Sequence, residues 1–232
     1  MNARSVANKT TAISDYASSE TDILAITETW MKTCDPVIAT ELTPPGFLLH
    51  HVPRLDRVGG EVAILYRSYF KLIEKENPEM TSFESAQCTF KTEGCKSLTL
   101  LVIYRPPSSN FTTFLDEFAT CLENLIPSPN EIIILGDFNV HYDDTSDHQA
   151  NHLKSLLIGF SLQQHISDAT HLSGHTLDLV ISRQDKLVLT STAIDLMISD
   201  HKVIEISLDI DRPRATRKIF RVEPELSKLE VN

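Results

Sequence analysis

Apolar runs of strand length recur along the chain between turn-forming residues: Asp22 to Ile26, Gly60 to Tyr66, Ser97 to Tyr104, Glu131 to Leu135, Leu177 to Ile181 and Val203 to Leu208. Most are too continuous to leave one face wet, which predicts strands buried on both sides. Helical spacing fills the intervals. Phe111, Phe114, Leu115, Phe118, Leu122 and Leu125 recur at steps of three and four behind an Asn110 cap. A second helix is predicted over His148 to Phe160, with Leu153, Leu156 and Leu157 on one face, and a third over Asn8 to Ser19. Strands covered by helices on their outer faces predict an α/β layered domain with two packed sheets between helices.

Composition narrows this picture. A chain of 232 residues, 41% hydrophobic and 23% charged, suits one large domain, here residues 1–210, with a basic tail or linker over 211–232. That tail carries Arg212, Arg214, Arg217, Lys218 and Arg221; a solvated terminus and contact with DNA phosphate are its two readings. No apolar run reaches the roughly 20 residues of a membrane helix, and Met1 to Ser5 lack a signal peptide's apolar stretch, so an intracellular protein without membrane partners is expected. Cys34, Cys88, Cys95 and Cys121 are irregularly spaced and read as free thiols, not as a zinc site or a disulfide framework. The net charge of −11 argues against a DNA-coating protein, because counterion release needs clustered Lys and Arg. It is compatible with carboxylates gathered around a divalent cation.

The chemistry collects at strand ends. Ile23 to Ile26 runs into Thr27-Glu28-Thr29-Trp30, Leu100 to Ile103 into Tyr104-Arg105-Pro106-Pro107, and Ile132 to Leu135 into Gly136-Asp137-Phe138-Asn139. Two other strands reverse the order: Asp178 precedes Leu179 to Ile181, and Asp200-His201 precedes Val203 to Ile206. If those two run opposite to the first three, Glu28, Asp137, Asp178 and Asp200 share one rim with Asn139, Tyr104 and His201. Carboxylates so crowded repel one another unless a cation is present, and oxygen ligation suits Mg²⁺ or Mn²⁺. Taken singly, Glu28 reads as a solvated strand end and Tyr104 as a packed turn residue. Asp178, between two leucines, is costly to bury unpaired, and the ordered set carries the argument. His148 and His152 lack a zinc-binding context and read as a surface pair, and Gly59-Gly60 reads as a turn.

These residues resemble a known family. Asn2, T-E-T-W at 27–30, G-G-E-V-A-I-L-Y-R at 59–67, Y-R-P-P at 104–107, G-D-F-N at 136–139, T-L-D-L-V at 176–180 and S-D-H at 199–201 are similar to the endonuclease/exonuclease/phosphatase superfamily. The wording is most similar to the apurinic-type endonuclease domain of non-LTR (LINE-like) retrotransposons. The resemblance implies a four-layer α/β sandwich of two packed mixed β-sheets flanked by helices, and Mg²⁺-dependent hydrolysis of DNA that leaves a 3′-hydroxyl. It implies that Glu28 holds the metal with Asp200 in its outer shell, and that Asp137 deprotonates the attacking water. Asn139, Asn2 and Tyr104 then hydrogen-bond around the phosphate, and Asp178 fixes His201 against a phosphoryl oxygen. Pro107 stands where repair enzymes of the superfamily have Asn, which speaks against abasic-site repair. The resemblance also implies a buried central strand ahead of Asn2, of which this sequence supplies only Met1. No reverse transcriptase domain follows in the chain, and nuclear action is implied by the resemblance only. Two other readings remain open: an inactive remnant serving as a binding module, and a phosphatase or phosphodiesterase of the same superfamily.

Overall fold

A computed structural model describes residues 1–19, 21–31, 35–53, 60–75, 80–91, 93–183 and 187–210. Cys34, Gly59 and the basic tail over 211–232 lie outside these. In chain order the elements are α1 (Thr10–Ser18), β1 (Ile23–Thr27), α2 (Pro36–Leu42), β2 (Phe47–Val52), β3 (Val62–Arg67), β4 (Lys71–Lys75), β5 (Glu84–Lys91), β6 (Leu98–Tyr104), α3 (Phe111–Leu125), β7 (Glu131–Asp137), α4 (His148–Gly159), β8 (Leu162–Gln164), β9 (Asp178–Arg183), β10 (Val188–Ile194) and β11 (Val203–Leu208).

The expected layering is present. A six-stranded sheet of order β4-β5-β6-β7-β9-β8 faces a three-stranded sheet β1-β3-β2 and the hairpin β10-β11. Period-two alternation assigns each strand's side chains to one of two cores. On the large sheet's outer face, Leu101, Ile103, Ile132, Ile134, Leu179 and Ile181 pack beneath α3 and α4. On its inner face, Leu100, Val102, Ile133 and Val180 meet Val62 and Ile64 of β3, with Ile204 and Ile206 of β11 packed alongside. A third cluster, including Ile13, Leu24, Ile26, Leu42 and Leu65, seals α1 and α2 onto the back of the small sheet. Four layers result: helix, sheet, sheet, helix.

Local chemistry sets the helix starts. The Asn110 side chain accepts from the Thr113 amide at 3.0 Å, and Asp147 accepts from the Gln149 and Ala150 amides, so each helix begins at a side-chain cap. Asp35 caps α2 in the same way, with Pro36 in the first turn.

One expectation needs correction. β11 is not buried on both sides but alternates between the inner core and solvent, because Glu205 and Ser207 face outward. Met1 to Ala3 run beside β1, joined to it by an isolated parallel bridge, Asn2 to Thr27. The Thr27 amide donates to the Met1 carbonyl and the Ala3 amide to the Thr27 carbonyl, both at 2.9 Å, and Asn2 is completely buried.

Candidate active site

Strand register assembles the rim. β6 and β7 are parallel with Tyr104 opposite Asp137, while β7 and β9 are antiparallel with Asp137 opposite Asp178. Directly opposed residues share a face, so these three side chains stand in a row on the inner face of the large sheet. β1 delivers Glu28 from the facing sheet, and the turn before β11 delivers Asp200 and His201.

Asn2 ties the two sheets together. Its Nδ2 donates to Glu28 Oε1 at 2.7 Å and to Asp137 Oδ2 at 2.9 Å. Asn139 closes on the same carboxylate, its amide donating to Asp137 Oδ1 at 2.9 Å and its Nδ2 lying 3.1 Å from Oδ2. On the other side, His201 Nδ1 lies 2.7 Å from Asp178 Oδ2, which leaves Nε2 pointing at Asp137 Oδ2 from 3.9 Å. The Trp30 indole donates to Glu28 Oε2 at 3.2 Å, and the Tyr104 hydroxyl also bonds Glu28. Each bond fixes a side chain that would otherwise keep its rotamer freedom.

Burial sets the electrostatics. Asp137 is 1% exposed, and burial, then the Asp178 charge, raises its pKa well above the ordinary carboxylate range despite the opposing pull of His201, Asn2 and the Asn139 amide. Burial alone would lower the His201 pKa; the hydrogen bond and charge of Asp178, with Asp137 and Asp200, more than reverse this and favour the imidazolium. Burial and the nearby Glu28 and Asp137 charges raise the Tyr104 phenol, which stays protonated and able to donate. Burial opposes ionisation of Asp200, but His171 and Arg4 outweigh it and hold the pKa below its usual value.

Backbone strain gathers here too. Glu28 and Asn139 take left-handed conformations, φ 51° and 48°, rare for a residue with a side chain, although Asn tolerates it better than Glu.

The rim thus unites Asn2, Glu28, Tyr104, Asp137, Asn139, Asp178 and His201 through contacts, while Asp200 sits to one side against Arg4 and His171. Among the described residues, potential metal-ligating atoms fall into two groups, His171-Asp200-His201 and Asp137-Asp178-His201, and Glu28 belongs to neither. The donor set nevertheless fits a hard divalent cation. The buried Asp200 Oδ1 has no hydrogen-bond partner among the described residues, Glu28 keeps one lone pair beyond its bonds from Asn2, Trp30 and Tyr104, and the repulsion around Asp137 is what a cation relieves.

Sequence reasoning missed three supports. Arg105, 2% exposed, donates from Nη1 to the Phe138 and Asn139 carbonyls, each at 2.9 Å, and so pins the turn that carries Asp137 and Asn139. Its place in Y-R-P-P was the available signal. Arg4 and His171 touch Asp200, and nothing in their sequence surroundings marks them. His148 and His152 form an exposed pair on α4, as expected. Cys88 and Cys121 are buried free thiols, whereas Cys95 is half-buried.

Comparison with known proteins supports the fold. Residues 98–205 match the family model described as endonuclease-reverse transcriptase. No curated protein matches the chain. Among solved structures, the endonuclease domain of TRAS1, a telomere-specific non-LTR retrotransposon, is similar at a TM-score of 0.71 and 16% identity, over 90% of this chain and 95% of that one. The AP endonuclease of Leishmania major is similar at 0.68 and 12% identity, over 88% and 85%. A 3′ phosphatase from Neisseria, solved with a product DNA hairpin, is similar at 0.63 and 14% identity, over 90% and 97%. The chain has the endonuclease/exonuclease/phosphatase fold, and over residues 98–205 it carries the sequence pattern of the endonuclease-reverse transcriptase family.

Proposed function

We propose that this chain is a divalent-metal-dependent phosphodiester hydrolase that nicks DNA. The observation that carries the reading is a buried carboxylate, Asp137, faced by a buried imidazole, His201, whose far nitrogen Asp178 holds at 2.7 Å. The likeness to a retrotransposon endonuclease domain supports DNA as the substrate.

Glu28 and Asp200 would hold Mg²⁺, or Mn²⁺ in its place. Bound there, the ion supplies charge neutralisation and polarises a phosphoryl oxygen. Asp137 takes the proton of a water molecule whose oxygen attacks phosphorus from the side opposite the leaving group. Its raised proton affinity suits a base working near neutral pH. The bond from phosphorus to the 3′-oxygen breaks, and that oxygen leaves as a hydroxyl after taking a proton from solvent water. His201, kept cationic by Asp178, and the Tyr104 hydroxyl donate to the non-bridging oxygens as their charge grows. Asn2 and Asn139 hold Asp137, and either reaches a phosphate oxygen only by exchanging one of its existing bonds to Glu28, Asp137 or the Arg105 carbonyl. Arg4, with a side chain 58% exposed beside Asp200, supplies positive charge toward the DNA backbone despite the acidic chain.

The test is conversion of supercoiled plasmid to open circles with Mg²⁺. Wild type nicks, EDTA stops it, and Glu28→Ala and Asp137→Ala each lose about 10²-fold or more, the scale of a general base or a transition-state contact. Nicking that survives either substitution would refute the assignment. The same rim could accept a phosphomonoester, as the likeness to a 3′ phosphatase suggests, and a 3′-phosphorylated duplex run in parallel separates the two substrates.

A further inference from the structure

His171 stands beside the rim without a part in the chemistry above. It opens a tight turn, closed by a bond from the Gly174 amide to the His171 carbonyl at 3.0 Å, with Gly174 at φ +90°. That turn is fastened to the segment ahead of β11. His171 and His201 form an isolated antiparallel bridge, flanked by bonds from the Leu172 amide to the Asp200 carbonyl at 2.9 Å and from the Lys202 amide to the Thr170 carbonyl at 2.7 Å. Residues directly opposed in this way share a face, and the two imidazoles meet edge to face with centroids 4.7 Å apart.

The ring nitrogens of His171 have different partners. Nδ1 accepts from the Ser173 amide at 3.0 Å, and the Ser173 hydroxyl lies 2.7 Å from the same atom. An amide hydrogen is accepted only by a nitrogen that carries none, so Nδ1 is bare and Nε2 bears the ring proton. Nε2 lies 3.2 Å from Asp200 Oδ2, and the bond therefore runs from imidazole to carboxylate. The tautomer decides between two roles. His171, Asp200 and His201 are close enough together to hold an ion, but a protonated Nε2 has no lone pair to give one. The two oxygens of Asp200 are then unequal. Oδ2 takes the donors of His171 and Arg4, whereas the buried Oδ1 has no hydrogen-bond partner among the described residues. Rotation about the Cβ–Cγ bond would break both contacts of Oδ2, so Oδ1 is held as the open oxygen. Burying a charged oxygen without a partner costs free energy that a cation recovers.

We infer that His171 is a positioning residue for the metal: it donates from Nε2 to Asp200 Oδ2 and so presents Oδ1 to the divalent cation, without touching the ion itself. This role rests on the reading of Glu28 and Asp200 as the residues that hold the metal. The Ser173 amide is part of the same device, because it fixes which nitrogen of the ring has a hydrogen to give.

The test uses the full chain, with Mn²⁺ binding followed by the EPR signal of the free ion and so apart from any activity. His171→Leu, which fills the space but has no donor, should weaken Mn²⁺ affinity about 10- to 100-fold, the usual effect of removing a group that orients a ligand. His171→Gln, whose side-chain amide supplies an N–H near the place of Nε2, should stay within about threefold of wild type. Nicking by His171→Leu should recover toward the wild-type rate as Mg²⁺ is raised, since the reacting groups remain in place. Nitrogen-15 spectra of ring-labelled histidine should show Nδ1 bare and Nε2 protonated in His171, with and without Mg²⁺; His171→Gln identifies the signals, so this arm stands even where His171→Leu does not fold. Unchanged Mn²⁺ affinity in His171→Leu, equal losses with Gln and Leu, or a rate that stays low at saturating Mg²⁺ would overturn the assignment. So would an Nε2 that gives up its proton when Mg²⁺ binds, which would make His171 a ligand. In each of these cases wild type still binds Mn²⁺ and nicks; a wild type that does neither would remove the metal site itself, and the role of His171 with it.

Discussion

Gly136→Ala is the sharpest structural perturbation of the site. Gly136 has φ +138°, outside the range of residues with a Cβ, and it pairs with Ile103 of β6 and Leu179 of β9 at the centre of the large sheet. A Cβ built there lies 1.9 Å from the Ile103 carbonyl oxygen and 2.8 Å from its carbon. Both are backbone atoms of a fully buried strand, so neither can swing aside. The backbone conformation costs about 1–3 kcal/mol for a residue with a side chain, and forced overpacking costs about 1–3 kcal/mol more. Together these give about 2–6 kcal/mol against a typical domain stability of about 5–15 kcal/mol. At roughly 2–4 °C per kcal/mol for a chain of this size, the melting temperature should fall by about 4–24 °C. Urea denaturation with amide exchange on β6 and β7 measures the cost and locates it. Gly174→Ala is the control, since Gly174 has φ +90° but nothing within 4 Å of the added carbon, so it should show the conformational part alone. A Gly136→Ala chain with a wild-type urea midpoint, or one no less stable than Gly174→Ala, would show that the close approach of β6 and β7 has been misjudged.

Other outcomes follow from the same contacts. Arg105→Lys keeps the charge but cannot span the Phe138 and Asn139 carbonyls or stack between Phe111 and Phe114, so a loss of about 2–4 kcal/mol is expected in urea; an unchanged midpoint would mean the guanidinium does not hold this turn. Glu117 concerns acid stability. Burial raises its pKa, but four bonds from Thr81 and Ser82 outweigh that and hold it at about 2, below the usual 4.5. A depressed carboxylate contributes stability that is fully present above pH 4.5 and lost as pH falls toward about 2. Because the side chain is only partly buried, solvent screening limits the effect to about 1 kcal/mol. Urea midpoints of wild type and Glu117→Gln should converge across that window, and parallel curves would contradict the linkage.

Strands whose side chains are apolar on both faces were legible in the sequence, because burial on both sides leaves a continuous run: β3, β6, β7 and β9 sit within a few residues of where the pattern placed them. β2, β5 and β10 escaped notice. β10 reads Val-Leu-Thr-Ser-Thr-Ala-Ile and is half wet, while β5 interleaves Glu84, Ser85 and Gln87 with its apolar residues. Their pairing is decided by neighbours distant in sequence, which no local window contains. The candidate site was legible to the extent that its residues end or begin apolar runs. What stayed hidden was contact across the rim: that Asn2 reaches both Glu28 and Asp137, and that Asp200 turns toward Arg4 and His171. These are properties of how two sheets face each other.

The alignment of Tyr104, Asp137 and Asp178 in one row has a further consequence. Since a slip of a single residue would send any of the three to the opposite side, their spacing is inherited from the ladder of main-chain bonds and not from the connections that follow. Connections that make no contact with the rim can lengthen or change composition while these side chains stay in place, whereas residues 167–176 are tied to it, by His171 against Asp200 and by the Thr170 hydroxyl, which accepts from the Leu177 and Asp178 amides. Selection or a protein engineer could therefore exchange such outlying segments with the rim residues left in their row.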